Sequence, residues 1–231
     1  MLKAVLLDID NTLLSFDEYV KEAMKRGFKE FKLCEYNEEM FSVFTEINNQ
    51  LWRSLEQGEI DLEELKRVRW NMIFDRLGIL ADGVLFEKYF RAQLFESAIP
   101  EKGAKELLKY LHGKYILCAA SNGPYNQQVN RLKIGGMLPY FDHLFISEEI
   151  GHTKPSFEFF DICLKRLNEK SEIPLNPNNL MMIGDSLSSD MAGGIQFGMK
   201  TCLYTPVKKD VPKEMKIDYI IESLAEIERI L

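Results

Sequence analysis

The stretch AVLLDIDNTLL, Ala4 to Leu14, decides how the rest of the chain is read. Its apolar run, Ala4 to Leu7, leads straight into Asp8-Ile9-Asp10-Asn11-Thr12, the pattern of a buried parallel strand ending at a polar turn. Side chains at i and i+2 of an extended backbone share a side, so Asp8 and Asp10 are expected to point the same way. At the carboxyl end of a strand, where open α/β sheets place their ligands, such a pair supplies one nucleophile and one proton-transfer group. Taken alone, the stretch fits equally well a strand closed by an Asx turn, in which Asp10, Asn11 and Thr12 satisfy backbone groups.

Working outward, residues 16 to 95 carry no β run. Apolar residues recur there at helical spacing, as in Tyr19, Ala23 and Met24, then Met40, Phe41, Phe44 and Ile47, then Leu51 and Leu55, then Leu62, Leu65, Val68, Met72 and Ile73. Breaks near Cys34 to Asn37, at Gly58, at Gly78 and at Asp82-Gly83 divide the segment into four or five helices, with Asp61 and Glu64 patterned as an N-cap and its partner. From Pro100 strands and helices alternate to the end. Strands are expected at 115 to 120, 143 to 146, 180 to 183, 201 to 204 and 219 to 221. Helices are expected at 101 to 112, 125 to 133, 156 to 168, through 191 to 197, and at 223 to 231. Glu169 to Asn179, with Pro174 and Pro177, is expected to be a surface loop. The fold class is therefore α/β, a doubly wound parallel sheet with a helical insertion. The domain layout is a core of residues 1-15 and 96-231 and a helical domain of residues 16-95.

A chain of 231 residues with a net charge of -7 lacks the cationic excess that binding a nucleic-acid polymer requires, although a small phosphorylated metabolite needs only local positive charge. No apolar run is long enough to span a bilayer and no secretory leader pattern opens the sequence, so no membrane partner and a cytoplasmic location are expected. Cys34, Cys118, Cys163 and Cys202 form no CxxC pair, and His112, His143 and His152 have no metal-site spacing.

Polar stretches follow the apolar strands in order: Asp8/Asp10/Thr12, Ser121-Asn122-Gly123, Lys154-Pro155 at a helix start, and Asp185 with Asp190. Each has a purely structural alternative: a turn for Ser121 to Gly123, a solvated loop lysine for Lys154, a helix cap for Asp190. In this order DIDNTL, SNG, KP and GDSLSSD resemble the motifs of the haloacid dehalogenase (HAD) superfamily, and the match runs through the whole chain. The electrostatics agree with the resemblance. Four carboxylates gathered at one edge repel unless cations offset them, and oxygen-only ligands suit Mg²⁺.

The resemblance implies a Mg²⁺-dependent phosphomonoester hydrolase with a Rossmann-like core and a type-one helical cap. Asp8 would form an aspartyl phosphate, and Asp10 would protonate the leaving group and then activate water. Thr12, Ser121, Asn122 and Gly123 would bind the phosphoryl group while Lys154 offsets its charge. Asp8, Asp10 through its backbone carbonyl, and Asp185 would hold Mg²⁺, with Asp190 acting directly or through water. An aspartate at position 10 fits phosphatases and mutases of the superfamily, since dehalogenases need no proton for a halide. The stretches 51 to 61, 141 to 161 and 184 to 204 are similar to pyrimidine 5′-nucleotidases of the YjjG type, which implies a nucleoside monophosphate substrate. His152-Thr153 departs from that pattern. Among the cap aromatics Phe16, Tyr19, Phe44, Trp52 and Trp70, most read as bundle core, and Trp52 is the candidate to stack a base. A sugar-phosphate or phosphoglycolate-type phosphatase, a phosphomutase and a catalytically silent binding module remain as alternatives.

Overall fold

The computed structural model describes residues 1–169, 171 and 173–231; Lys170 and Glu172, within the expected surface loop, lie outside the described residues. The chain divides into two compact units, Met1–Ser15 with Ala98–Leu231, and Phe16–Ser97. The periodicity puts the second boundary at residue 95. Glu96 and Ser97 stay with the helices because the Ser97 amide closes on the Leu94 carbonyl (3.0 Å).

The first unit is a six-stranded parallel sheet, β1 (Ala4–Leu7), β2 (Ile116–Ser121), β3 (His143–Ile146), β4 (Leu180–Gly184), β5 (Lys200–Tyr204) and β6 (Tyr219–Ile221), in the order β3-β2-β1-β4-β5-β6. β1 is buried along its full length because it lies between β2 and β4. Alternating residues feed two cores. Val5, Leu7, Leu117, Ala119, Met181 and Ile183 pack with Leu107, Leu108 and Leu111, and Ala4, Leu6, Cys118, Ala120 and Met182 pack with Phe159, Phe160 and Cys163. The first set of partners is on the helix Ala104–Leu111 and the second on the helix Phe157–Asn168, so both faces are covered, as a parallel sheet requires. After β1 the chain runs outward, and it returns to build β2 and β3 on one side before crossing to β4. The gap between β1 and β4 is thus the topological switch point, where sheets of this order bind ligands.

The strands fall where the apolar runs predict, with ends differing by a residue. The turns around them differ more. The helix expected through 191 to 197 begins as a π-helical turn, Leu187–Met191, and the expected closing helix is a 3-10 segment, Leu224–Arg229.

The second unit holds four helices among the described residues: α1 (Phe16–Glu30), α2 (Glu38–Glu56), α3 (Leu62–Leu77) and α4 (Gly83–Phe95). Asn37, Asp61 and Asp82 cap α2, α3 and α4 by accepting from amides three residues on, and Gly78 ends α3 at φ 67°. Gly83 is required where α4 starts, since a Cβ there would lie 2.3 Å from the Asn71 backbone nitrogen. Phe44, Trp70, Phe74, Phe86 and Phe90 fill the interior in tilted and edge-on pairs. Tyr19, Phe44 and Trp70 are thus bundle core. No helix among the described residues is long and apolar enough to cross a membrane.

Candidate active site

The polar residues of the first unit gather where β1, β2 and β4 end. β1 closes at Leu7, and the amide of Asp8 still bonds to the Ile183 carbonyl of β4 (2.9 Å). Beyond it the chain turns: the Ile9 carbonyl accepts from both Leu13 and Leu14, and Asn11 takes φ 56°, a conformation asparagine tolerates. Because of this turn Asp8 and Asp10 do not sit as neighbours along one regular strand, and their carboxylates engage different partners.

Asp8 meets Lys154. The Lys154 ammonium is buried and spends its donors on Asp8 Oδ1 (2.7 Å), Asp190 Oδ1 (2.6 Å) and the Ala120 carbonyl of β2 (2.7 Å). One cation therefore joins the ends of β1 and β2 to the turn after β4. Asn122 fixes the lysine's backbone from both sides, accepting from Lys154 N–H (2.8 Å) and donating to the Lys154 carbonyl (2.8 Å). That gives Asn122 a strut's role in addition to any contact with substrate. Asp190 reaches the site from the π-helical turn; its Oδ2 accepts from the Ser186 amide (3.1 Å), and it is fully buried. Gly184 leaves room for it, because a Cβ there would lie 2.1 Å from Asp190 Oδ2.

Burial pushes the Asp8 carboxyl well above the usual carboxylate range; Lys154 opposes this, and Asp190, Asp185 and Asp10 add to it by like-charge repulsion. Burial acts to lower Lys154, but the carboxylates of Asp190 and Asp8 outweigh it and keep the ammonium charged. Carboxylate oxygens of Asp8, Asp185 and Asp190 lie within 4.8 Å of one another. With Lys154 between Asp8 and Asp190 and Lys209 on Asp185 (3.0 Å), the three carboxylates still outnumber the ammonium groups. Hard oxygen donors with that excess fit Mg²⁺, which takes carboxylates and keeps waters. The Asp10 side chain stands outside this cluster.

Asp10 is held by two residues that the sequence reading did not single out. Arg131 Nη1 donates to Oδ1 (2.5 Å) and Gln128 Nε2 to Oδ2 (2.7 Å), both from the helix Tyr125–Ile134 that follows β2. The available signal was their spacing, i and i+3 on the helix after SNG, beside the buried Leu132. Gly123 is explained by the same contact, since a Cβ would fall 2.8 Å from Gln128 Nε2. Thr12 is buried with its hydroxyl oxygen unpaired among the described residues, a polar atom that a bound group would satisfy. Trp52, on α2, is half-buried and belongs to the other unit.

A parallel sheet with four carboxylates and a buried lysine at its switch point is the architecture of a hydrolase class, and the haloacid dehalogenase-like hydrolase family model matches residues 2–198; the chain belongs to that family. It is 31% identical to the HAD-hydrolase YfnB of Bacillus subtilis over 99% of this chain and 95% of that one. It is 30% identical to the pyrimidine 5′-nucleotidase YjjG of Escherichia coli (98% and 96% covered), and 32% identical to the pyrimidine 5′-nucleotidase PynA of Streptococcus pneumoniae (88% and 84%). The crystal structure of YfnB bound to magnesium matches with a TM-score of 0.89, covering 100% of this chain and 98% of that one.

Proposed function

We propose that the protein is a Mg²⁺-dependent phosphomonoesterase that hydrolyses pyrimidine nucleoside 5′-monophosphates through an aspartyl phosphate on Asp8. The observation that carries the reading is the contact of Asp8 with a buried, charged Lys154 at the switch point, beside Asp185 and Asp190. The similarity to YjjG and PynA supports the choice of nucleotide.

Asp8 attacks phosphorus in line as the ester P–O bond breaks, and Asp10 gives its proton to the departing alkoxide. Lys154, whose ammonium already lies between Asp8 and Asp190, offsets charge on the phosphoryl oxygens; Ser121 and Thr12 donate to them. Water then attacks the aspartyl phosphate, Asp10 takes a proton from it, and phosphate leaves with Asp8 restored. Asp8, the Asp10 carbonyl and Asp185 would hold Mg²⁺, with Asp190 behind or beside them; a bound Mg²⁺ would supply charge neutralisation to the carboxylates and the phosphoryl group. Every one of these residues addresses the phosphoryl group, so choice of the leaving group is assigned to the helical unit, residues 16–97 as a cap. Four free thiols suit a reducing compartment, and we place the reaction in the cytoplasm.

The test is phosphate release from a panel of nucleoside and sugar monophosphates, with Mg²⁺ and with excess chelator. Release from uridine and thymidine monophosphates above all others, abolished by chelator, is expected. Preference for sugar phosphates discards the nucleotidase reading, and isomerised product without stoichiometric phosphate makes the protein a mutase.

A further inference from the structure

Gln128 and Arg131 are almost completely buried, at 0% and 1% exposure, and their side chains bond to Asp10, to Ser121 and to each other. Arg131 Nη1 bridges Asp10 Oδ1 and Gln128 Oε1 (2.9 Å). An arginine only donates, so the Gln128 atom facing it is the carbonyl oxygen, and the amide orientation follows from chemistry. Its Nε2 is thereby turned toward Asp10 Oδ2 and Ser121 Oγ, both at 2.7 Å. Ser121 Oγ also accepts from the Gly123 amide (3.1 Å). With two donors already on the oxygen, the Ser121 hydroxyl proton is left to point elsewhere, as a donor.

We infer that Gln128 and Arg131 are positioning residues that set the direction of the Asp10 carboxyl and keep Ser121 a hydrogen-bond donor. Both Asp10 oxygens are gripped, while a third of its side chain stays exposed, so the group is aimed yet reachable. Gln128 ties the proton-transfer residue to the phosphoryl-oxygen donor, and a change at either is felt by both. The inference rests on the hydrolase reading above, in which Asp10 works hardest in the second half-reaction, taking a proton from the water that releases phosphate from Asp8.

The test uses 2,4-dinitrophenyl phosphate, whose leaving group needs no proton, so that kcat/KM reports attack by Asp8 and kcat reports hydrolysis of the aspartyl phosphate. Arg131→Met is expected to lower kcat at least 30-fold and kcat/KM less than threefold, with a burst of one dinitrophenolate per enzyme before the slow phase. Gln128→Leu, which also releases Ser121, should lower kcat similarly and lower kcat/KM more than Arg131→Met does. Asp10→Asn combined with Arg131→Met should be no slower than Asp10→Asn alone, because a residue acting through another adds nothing once that one is gone. The Mg²⁺-induced rise in melting temperature should match wild type, since Asp8, Asp185 and Asp190 are untouched. Losses that multiply in the double variant, or equal losses in kcat and kcat/KM, overturn the inference. If Arg131→Met does not fold, Arg131→Lys is read against the same criteria. Wild-type enzyme inert toward the ester overturns the hydrolase reading together with this one, whereas an active wild type with multiplying losses overturns this one alone.

Discussion

Lys209 Nζ donates to both the main-chain carbonyl (2.8 Å) and Oδ2 (3.0 Å) of Asp185, so the carboxylate that follows β4 already holds a cation from its own chain. A Mg²⁺ bound through Asp185 competes with that ammonium for the carboxylate's charge. Lys209 is 42% exposed, which limits the pair to about 1 kcal/mol or less. Lys209→Ala should therefore tighten Mg²⁺ by up to about fivefold at low ionic strength, and by less as salt screens the contact. Asp185→Ala should weaken Mg²⁺ and reduce the thermal stabilisation that the ion gives by binding the native state. Titration calorimetry gives both constants, and an unchanged constant in Lys209→Ala would show that the contact carries no weight.

Asp8→Asn should abolish phosphate release while leaving the fold intact, because the amide is nearly isosteric and a poor nucleophile; activity within tenfold of wild type would remove Asp8 from its role. The same variant reports on pH. Burial and neighbouring carboxylates raise the native Asp8 pKa above its unfolded value, so the native state binds the extra proton between the two values. This contribution to stability is present below the unfolded value of about 3.9 and is lost as pH rises through the native one. In chelator, denaturant unfolding should therefore show Asp8→Asn gaining on wild type as pH rises through that window. Mg²⁺ should narrow the gap, since it stabilises the ionised wild-type site. A gap that does not change with pH would place the strain elsewhere.

Within the helical unit, Arg69 and Glu87 form a bidentate pair (Nη2 to Oε1 2.7 Å, Nε to Oε2 3.1 Å), with Asn48 Oδ1 on the remaining arm (3.0 Å) and the Phe90 ring 4.9 Å from the guanidinium carbon. Burial raises Glu87 above the usual carboxylate range even though Arg69 pulls it down. Removing one partner strands a buried charge. Arg69→Ala should destabilise the protein by about 3–5 kcal/mol, whereas Arg69→Met with Glu87→Leu, which replaces both charges by apolar bulk, should recover most of the loss. Equilibrium unfolding of the two variants decides it, and equal losses would mean that shape rather than charge matters there.

These particular residues also show how far the sequence could be read. Strands β1, β2 and β4 were legible because burial between neighbouring strands demands unbroken apolar runs, and Asp8, Asp185 and Lys154 were legible because each follows such a run or opens a helix. Arg69, Gln128 and Arg131 were not. Polar residues on a helix look solvated in one dimension, and only the fold reveals that Arg131 faces Asp10 and Arg69 faces Glu87. Of the stripe expected on α3, Leu65 and Ile73 are buried while Leu62, Val68 and Met72 are half-buried; the buried face runs through Leu65, Arg69, Trp70, Ile73 and Phe74, a charged residue in an apolar row. The π-helical turn that carries Asp190 likewise leaves no mark in a 3.6-residue period.

The chain has two tryptophans, and Trp70 is spent on the bundle interior, its ring centroid 4.4 Å from that of Phe86 and 5.2 Å from that of Phe90. Trp52 on α2 is half-buried. Asn48, one turn earlier, already accepts from Arg69 through its side-chain oxygen, so under the nucleotidase proposal the stacking role is expected of Trp52 rather than of an Asn48–Trp52 pair. A pyrimidine offers a flat π face, and an aromatic partner for it is worth about 1–3 kcal/mol. Trp52→Ala should therefore lower kcat/KM for uridine and thymidine monophosphates by about that amount, roughly 5- to 150-fold. 4-Nitrophenyl phosphate should lose much less, because its hydrolysis depends on Asp8, Asp10 and Lys154. Equal losses on nucleotide and aryl phosphate would make Trp52 a packing residue, and unchanged kinetics on both would move base selection to another part of the helical unit.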